Sequence, residues 1–212
     1  MTQANYTTEH RGLLREQILE KAAREFKTHG VKSVKMDDIA SLLKISKRTL
    51  YEIYDNKEDL LLACVERRMC DCNATMERFY AEADRQVIDI ILKFYRVQME
   101  ELRDMNPVYF EDLHKYPRVK AYLDKVDHEH DERGRVFFER GVHEGYFRAD
   151  FNFELIGWLG NNMMQSVMEN KLYKTYSLQE IFRNVIMLVI RGLCTAKGIV
   201  ELDRKLAETE QP

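Results

Sequence analysis

The helical spacing of apolar residues is the feature that most constrains the fold of this chain. Between residues 14 and 26 an apolar residue recurs at every fourth position, and Gly30 follows as a helix stop. No window of the sequence shows the period-two alternation that a half-buried strand needs, and the 212 residues include only three prolines and nine glycines. The sequence therefore predicts an all-α protein.

The same spacing, followed along the whole chain, predicts about nine helices in total. Their grouping predicts four parts, which are a flexible N-terminal arm (1–10), a domain of three helices (11–57), a larger helical domain that begins with a long fourth helix (58–203) and a flexible tail (204–212). The last two helices are expected at 152–170 and from 177 to about 200, after a loop with the sequence HEGYFRADFN.

The chain is expected to be cytoplasmic. Residues 1–10 are polar and lack the features of a secretory signal. The longest apolar stretch, NVIMLVIRGLCTA, is interrupted by Arg191 and is shorter than the roughly 20 residues that span a bilayer, so no membrane partner is predicted. The four cysteines form no CxxC pair and have no histidines at zinc-ligand spacing, which indicates reduced thiols.

Basic residues concentrate at the N-terminal end, although the formal net charge of the chain is −3 at pH 7. Residues 1–57 carry 11 Lys and Arg against 8 Asp and Glu, a net of +3, and the remaining residues carry 22 against 28, a net of −6. This asymmetry indicates a polyanion as the partner of the N-terminal part.

The segment DDIASLLKISKRTLYEIYDNKEDLL, residues 37–61, predicts two short helices separated by a tight break, followed by the long helix. Ser46 suits the N-cap of the second short helix, which starts with Lys47, Arg48 and Thr49. Cations and hydroxyls at the exposed start of a short helix can reach base edges in the major groove of DNA. The segment therefore predicts a helix-turn-helix whose second helix faces DNA.

This segment resembles the TetR family of bacterial transcriptional regulators. The matching blocks are MDDIA at 36–40, ISKRTLYEIYDNKEDLL at 45–61 and the preceding AAREFKTHGVKSV, and the resemblance covers about the first third of the chain. It implies an N-terminal helix-turn-helix domain, a larger domain that holds a small and often apolar ligand, and a homodimer formed through a four-helix interface of C-terminal helices. It implies neither an enzyme nor a cofactor.

The resemblance also implies which residues contact DNA. Lys47, Arg48 and Tyr51 would lie near bases or backbone, Thr49 would contact the backbone, and Lys57 would meet a phosphate at the start of the fourth helix. The complete set assigned to DNA is Lys35, Lys44, Ser46, Lys47, Arg48, Thr49, Tyr51, Tyr54 and Lys57, and the residues assigned to the core are Ile39, Ala40 and Leu50. The alternative is that Lys47 and Arg48 form a solvated helix start and that the tyrosines serve packing.

Three residues depart from the family pattern. Lys35 stands where the family often has threonine, and Lys44 and Arg48 stand where it often has glycine. A lysine at a left-handed turn position costs roughly 1 kcal/mol relative to glycine. Because each of these residues adds positive charge near the predicted DNA face, they are expected to strengthen nonspecific attraction to DNA.

Adaptable and aromatic side chains of the larger domain are candidates for contacts with an apolar effector. The candidates are Met69, Met76, Tyr95, Met99, Tyr109, Phe110, His130, Phe137, Trp158 and Met163. Most residues at such spacing are core residues, and a hydrogen-bonded core histidine is the alternative for His130. The segment DHEHDE, residues 127–132, also permits a metal site, although an acidic solvated helix face is the commoner interpretation, and no metal is predicted.

The last predicted helix is apolar around more than one face, which favours burial against a second subunit. The residues assigned to this contact are Leu159, Val167, Phe182, Val185, Ile186, Val189 and Leu193. The alternative is a central helix in a monomer.

Together these observations predict a homodimeric repressor that binds a palindromic double-stranded DNA operator and is released by a small, largely apolar effector of unknown identity. Two alternatives remain: a DNA-binding regulator controlled by a protein partner, and a helical carrier or enzyme. The enzyme alternative has little support, because the sequence contains no GxSxG, HExxH or glycine-rich phosphate loop.

Overall fold

The computed structural model describes residues 3–82 and 85–209, without the side chains of residues 3–10, 127–133, 161 and 209. The helices are α1 (Gln3–His29), α2 (Met36–Leu42), α3 (Lys47–Tyr51), α4 (Lys57–Tyr80), α5 (Val87–Arg103), α6 (Val108–Leu113), α7 (Pro117–His143), α8 (Phe153–Glu169), a 3-10 helix (Leu172–Lys174), α9 (Leu178–Leu193) and α10 (Ala196–Thr209). The described residues form no strand, so the all-α prediction is confirmed. No described helix has the length and apolar character needed to cross a membrane.

The C-terminal region contains one helix more than the sequence predicted. The helix expected from 177 to about 200 ends at Leu193, because Cys194 is extended and forms an isolated bridge with Phe147. Thr195 then starts α10, since its hydroxyl accepts a hydrogen bond from the amide of Gly198 at 3.1 Å. Long-range pairing with the loop after α7 therefore interrupts a segment that is locally helical.

Both predicted flexible ends are helical over most of their length. The arm expected at residues 1–10 is helical from Gln3, as part of α1. The tail expected at 204–212 belongs to α10 up to Thr209. Lys205 of α10 forms an ion pair with Asp89 of α5, which attaches this last helix to the larger domain.

The chain forms two compact units, and the first consists of Met1–Asp71 and Asp104–Asp124. Its core lies among α1 to α4 and contains fully buried apolar side chains, which include Ile18, Phe26, Ile39, Leu50, Leu60 and Leu61. Ile39, Ala40 and Leu50 are buried, as the sequence predicted. The unit extends beyond the predicted 11–57 domain, because it also takes in the start of α4 and the segment around α6.

The segment around α6 joins this unit by completing the end of α1. The last carbonyls of a helix lack partners within the helix. Asn106 supplies donors for two of these carbonyls. Its backbone amide donates to the carbonyl of Lys27 at 2.9 Å, and its side-chain amide donates to the carbonyl of Thr28 at 3.2 Å. Gly30 has a φ of +80°, and a Cβ atom there would lie 3.2 Å from the side chain of Val108, so glycine permits this close approach.

The second unit consists of Cys72–Arg103 and Lys125–Pro212. Its core contains buried side chains from α5, α7, α9, α10 and the loop after α7, which are Val87, Ile88, Leu92, Phe138, Tyr146, Phe147, Ile190, Cys194 and Leu202. The rings of Phe138 and Phe147 stack with centroids 5.8 Å apart. Gly198 allows α10 to approach the loop, because a Cβ atom there would collide with the carbonyl oxygen of Tyr146.

Candidate nucleic-acid interface

The turn between α2 and α3 has the geometry of a helix-turn-helix. Two backbone hydrogen bonds close it, from Lys44 to the carbonyl of Ser41 at 3.1 Å and from Ile45 to the carbonyl of Ala40 at 3.0 Å. Lys44 has a φ of +55°. This is the left-handed conformation expected at a position where the family often has glycine. Its side chain is exposed, and the left-handed conformation costs roughly 1 kcal/mol for a residue that has a Cβ atom.

Ser46 fixes the start of α3. Its hydroxyl oxygen accepts a hydrogen bond from the backbone amide of Thr49 at 3.0 Å and lies 2.7 Å from the Thr49 hydroxyl. The predicted N-cap is therefore confirmed. Leu50 anchors the opposite side of the helix in the core, so the first turn of α3 is held with its polar side chains facing outward.

Lys47 and Arg48 stand on this exposed turn, and each is paired with a carboxylate. The Nζ atom of Lys47 lies 2.5 Å from Oδ2 of Asp37 in α2, and the Nε atom of Arg48 lies 2.8 Å from Oε1 of Glu52, which follows α3. Hydrogen bonding to these carboxylates raises the pKa of Lys47 and of Arg48. The pairing therefore favours the charged form of both side chains.

The two tyrosines assigned to DNA have different environments. Tyr51 ends α3 and its side chain is 45% exposed, next to the paired cations. Tyr54 is only 5% exposed, and burial raises its pKa. The guanidinium of Arg15 in α1 lies 5.7 Å from the centre of the Tyr54 ring. Tyr54 is thus a core residue that packs on α1, and its assignment to DNA is corrected.

The remaining predicted contacts lie at the edges of the motif. Lys35 is exposed directly before α2, and its backbone amide donates to the Asp38 carboxylate at 2.9 Å. Lys57 starts α4 and is half-buried, with its Nζ atom 3.4 Å from the carbonyl oxygen of Lys32. Burial lowers the pKa of Lys57. Its ammonium group is therefore directed towards the turn after α1 in this conformation.

The predicted effector contacts divide between the two units. Met69, Tyr109 and Phe110 belong to the first unit, and Met76, Tyr95, Met99, Phe137, Trp158 and Met163 belong to the second. Tyr95 stacks on Phe182, with ring centroids 6.2 Å apart, and lines an open cleft of about 700 Å³. Trp158 is 61% exposed on the surface of α8. The backbone of the segment 127–132 is helical as part of α7. The side chains of this segment, including that of His130, are outside the described part of the structure.

The predicted dimer residues lie on α8 and α9, which pack against each other. Leu159 is exposed. The other six are half-buried: Val167, Phe182, Val185, Ile186, Val189 and Leu193. Three strongly exposed apolar side chains on the same two helices were not assigned to the contact: Leu155, Trp158 and Leu188. The spacing of Leu155, Trp158 and Leu159 on one helix face could have identified the first two.

Comparison with known proteins agrees with the geometry of the first unit. A family model described as bacterial regulatory proteins, tetR family, matches residues 18–64, which extend from α1 into α4. The HTH-type transcriptional repressor SCO4008 of Streptomyces coelicolor is 35% identical over 54 residues, a match that spans 26% of this chain and only 28% of that repressor. The uncharacterized HTH-type transcriptional regulator YezE of Bacillus subtilis is 27% identical over 146 residues, 66% of this chain and 72% of that protein.

A solved structure extends the likeness in fold to both units. A Saccharomonospora viridis protein, crystallised in complex with choline, has a TM-score of 0.69 and 16% identity, and the match covers 87% of this chain and 99% of that one. The sequence matches identify the helix-turn-helix, and the fold match includes the helices that follow it. The chain is therefore a DNA-binding transcriptional regulator, and its residues 18–64 carry the helix-turn-helix of the tetR family of bacterial regulatory proteins.

Proposed function

We propose that this protein is a homodimeric repressor that binds a palindromic operator and leaves it when a small, largely apolar effector binds the larger domain. The observation that carries the proposal is the exposed first turn of α3, where the Ser46 cap presents Lys47 and Arg48 beside Tyr51. A short helix presented in this way fits the major groove of DNA. Side chains of its first turn can then form hydrogen bonds with base edges. Repression is named for the relative SCO4008, and we extend it to this chain.

The DNA contacts that we propose come from α3 and its flanks. Lys47, Arg48 and Tyr51 would contact base edges or backbone, and Thr49 would contact backbone. Around them, Lys35, Lys44 and Lys57 would meet phosphates. Ser46 would act mainly through its cap, because its hydroxyl already accepts the Thr49 amide.

The proposed dimer contact is the apolar surface of α8 and α9. Leu155 and Trp158 on α8 and Leu188 on α9 are each more than half exposed. Exposed apolar side chains on two helices that pack against each other form a surface of the kind that usually marks a contact between proteins. A twofold dimer would present two copies of α3 to half-sites one helical turn apart, which explains why we propose a palindromic operator.

The proposed effector site is in the larger domain. Tyr95, Met99 and Phe137 offer the adaptable and aromatic contacts that suit an apolar ligand. A protein of the same fold has been crystallised with choline, which supports small-molecule binding by this architecture. Release requires the effector to prefer a dimer conformation that does not match the operator. α4 is a candidate for this coupling, since its residues belong to the first unit up to Asp71 and to the second from Cys72.

The experiment that tests the proposal is fluorescence anisotropy of the purified protein on DNA from upstream of its own gene, at two salt concentrations. We expect tight binding that weakens as salt rises and that greatly exceeds binding to random DNA. Tyr51→Ala should weaken it, whereas Tyr176→Ala should not, because Tyr176 is a similarly exposed tyrosine outside the helix-turn-helix, at 48% against 45%. Equal effects of the two substitutions would contradict the assignment of α3.

A further inference from the structure

Both cations at the start of α3 are already bound to carboxylates of the same chain. Lys47 pairs with Asp37 at 2.5 Å, and Arg48 pairs with Glu52 at 2.8 Å. A phosphate or an acceptor on a base edge would have to take the place of each carboxylate. In the proposed complex, Lys47 and Arg48 therefore each exchange a carboxylate of the same chain for an acceptor on DNA.

The net charge of α2, α3 and the turn between them also limits nonspecific attraction to DNA. Residues 36–52 carry three basic side chains, Lys44, Lys47 and Arg48, and three acidic ones, Asp37, Asp38 and Glu52, so their net charge is zero. Sequence-independent binding to DNA depends on cations that neutralise phosphates. The sequence led us to expect that Arg48 would strengthen nonspecific attraction, but its pairing with Glu52 opposes that effect.

We propose that Asp37 and Glu52 are specificity-determining residues that hold Lys47 and Arg48 away from the phosphates of random DNA. The proposal rests on the function proposed above. Specificity is a difference between two affinities, and a protein can increase it by weakening the wrong complex. On random DNA a freed cation would gain only a phosphate in exchange for its carboxylate. On the operator it would gain acceptors on a base edge, such as O6 and N7 of guanine, in a matching geometry.

The two pairs are placed so that they can form and break without rearranging the fold. Arg48 and Glu52 are four residues apart, so the start of α3 and the residue that follows it present them on one face. Asp37 is in the first turn of α2, so its pair with Lys47 connects the two helices of the motif across the turn. All four side chains are exposed by about half or more, and exposed ion pairs are weak. Exchange with DNA therefore needs no unfolding of α2 or α3.

The test compares Asp37→Asn and Glu52→Gln with the wild type on random duplex DNA and on an operator selected from a randomised pool. Each substitution should raise affinity for random DNA by about three- to fivefold, since an exposed pair gives only weak protection. The slope of log affinity against log salt should become steeper by about 0.9 for each freed cation. Affinity for the operator should change less, so the ratio of operator to random affinity falls.

Two further variants separate this mechanism from a general effect of charge. Glu66→Gln removes an equal charge from an exposed position on α4, outside the helix-turn-helix, and should leave the ratio unchanged. The double variant Asp37→Asn with Lys47→Ala should lose the gain on random DNA, because the freed cation is gone. An equal rise in the Glu66→Gln variant, or a gain that persists without Lys47, would overturn the proposal.

The outcome also distinguishes the inference from the function on which it rests. If the wild type enriches no sequence from the randomised pool, the proposed operator binding fails, and this inference is overturned with it. If an operator is enriched but both carboxylate variants keep the wild-type ratio of affinities, only the inference is wrong. If the ratio falls in both variants, the carboxylates determine specificity.

Discussion

The buried carboxylate of Asp112 in α6 accepts a hydrogen bond from the backbone amide of Lys32, with the Oδ2 and N atoms 2.7 Å apart. Asp112 is 1% exposed, and its other oxygen is 2.9 Å from the ammonium of Lys115. A buried charge is tolerated when it is paired and hydrogen-bonded. This carboxylate fastens α6 to the turn between α1 and α2, and hence to the helix-turn-helix.

We predict that Asp112→Ala lowers the free energy of unfolding by about 2 to 3 kcal/mol, because it removes a charged acceptor and leaves the Lys32 amide without its partner. Chemical denaturation followed by circular dichroism measures the change. Asp104→Asn is the matched control, since Asp104 is an exposed carboxylate shortly before α6, and it should stay within about 0.5 kcal/mol of the wild type. Similar losses in both variants would contradict the role of Asp112.

Lys44 provides a second prediction, because its φ of +55° strains a residue with a side chain. Lys44→Gly should raise the free energy of unfolding by up to about 1 kcal/mol, the strain being partly offset by the greater freedom of glycine in the unfolded chain. Lys44→Ala removes the same charge but keeps the Cβ atom, so it should give no such gain. Thermal unfolding of the three proteins checks this, and a gain shared by both variants would assign the effect to charge.

Local patterns predicted the parts of the fold that depend on nearby residues. Ser46 caps α3 and Lys44 is left-handed, as the sequence indicated, because both features arise within one turn of the chain. The break at Cys194 was missed, since it depends on pairing with Phe147, 47 positions earlier. The pair of Lys47 with Asp37 also needs the packing of α2 against α3, and no helical spacing connects residues ten positions apart.

The misassignment of Tyr54 has a local cause and leads to a third prediction. Leu50 and Tyr54 are four positions apart and both face the core, whereas Tyr51 faces outward. Tyr54→Ala should therefore lower the free energy of unfolding by roughly 3 kcal/mol, as for other large buried side chains. Tyr51→Ala should change it by less than about 0.5 kcal/mol, typical of an exposed site, and should weaken DNA binding instead. Denaturation and anisotropy of the two variants test this separation.

The cysteines give a prediction about pH. Burial raises the pKa of Cys64 to about 12 and that of Cys194 to about 11. The thiolate is the reactive form, so exposed Cys70 should react with a thiol reagent at pH 8, while Cys64 and Cys194 should react only after unfolding. The folded protein keeps the buried thiols neutral, and this contribution to stability is present below pH 9, the ordinary pKa, and is lost as pH rises through the raised values. Reaction of all four thiols in the native protein would contradict the burial.

The apolar surface of α8 and α9 gives the last prediction. Trp158 is 61% exposed there, and in the proposed dimer an aspartate at this position would bring a charge into an apolar contact without a partner. Trp158→Asp should therefore shift the sedimentation coefficient from that of a dimer to that of a monomer and weaken operator binding, because one half-site contact is lost. Val136→Asp is the matched control, since Val136 is equally exposed but lies on α7 of the same unit. A dimer that withstands Trp158→Asp but not Val136→Asp would move the contact from α8 to α7, and a dimer formed through α7 would then set the distance between the two copies of α3.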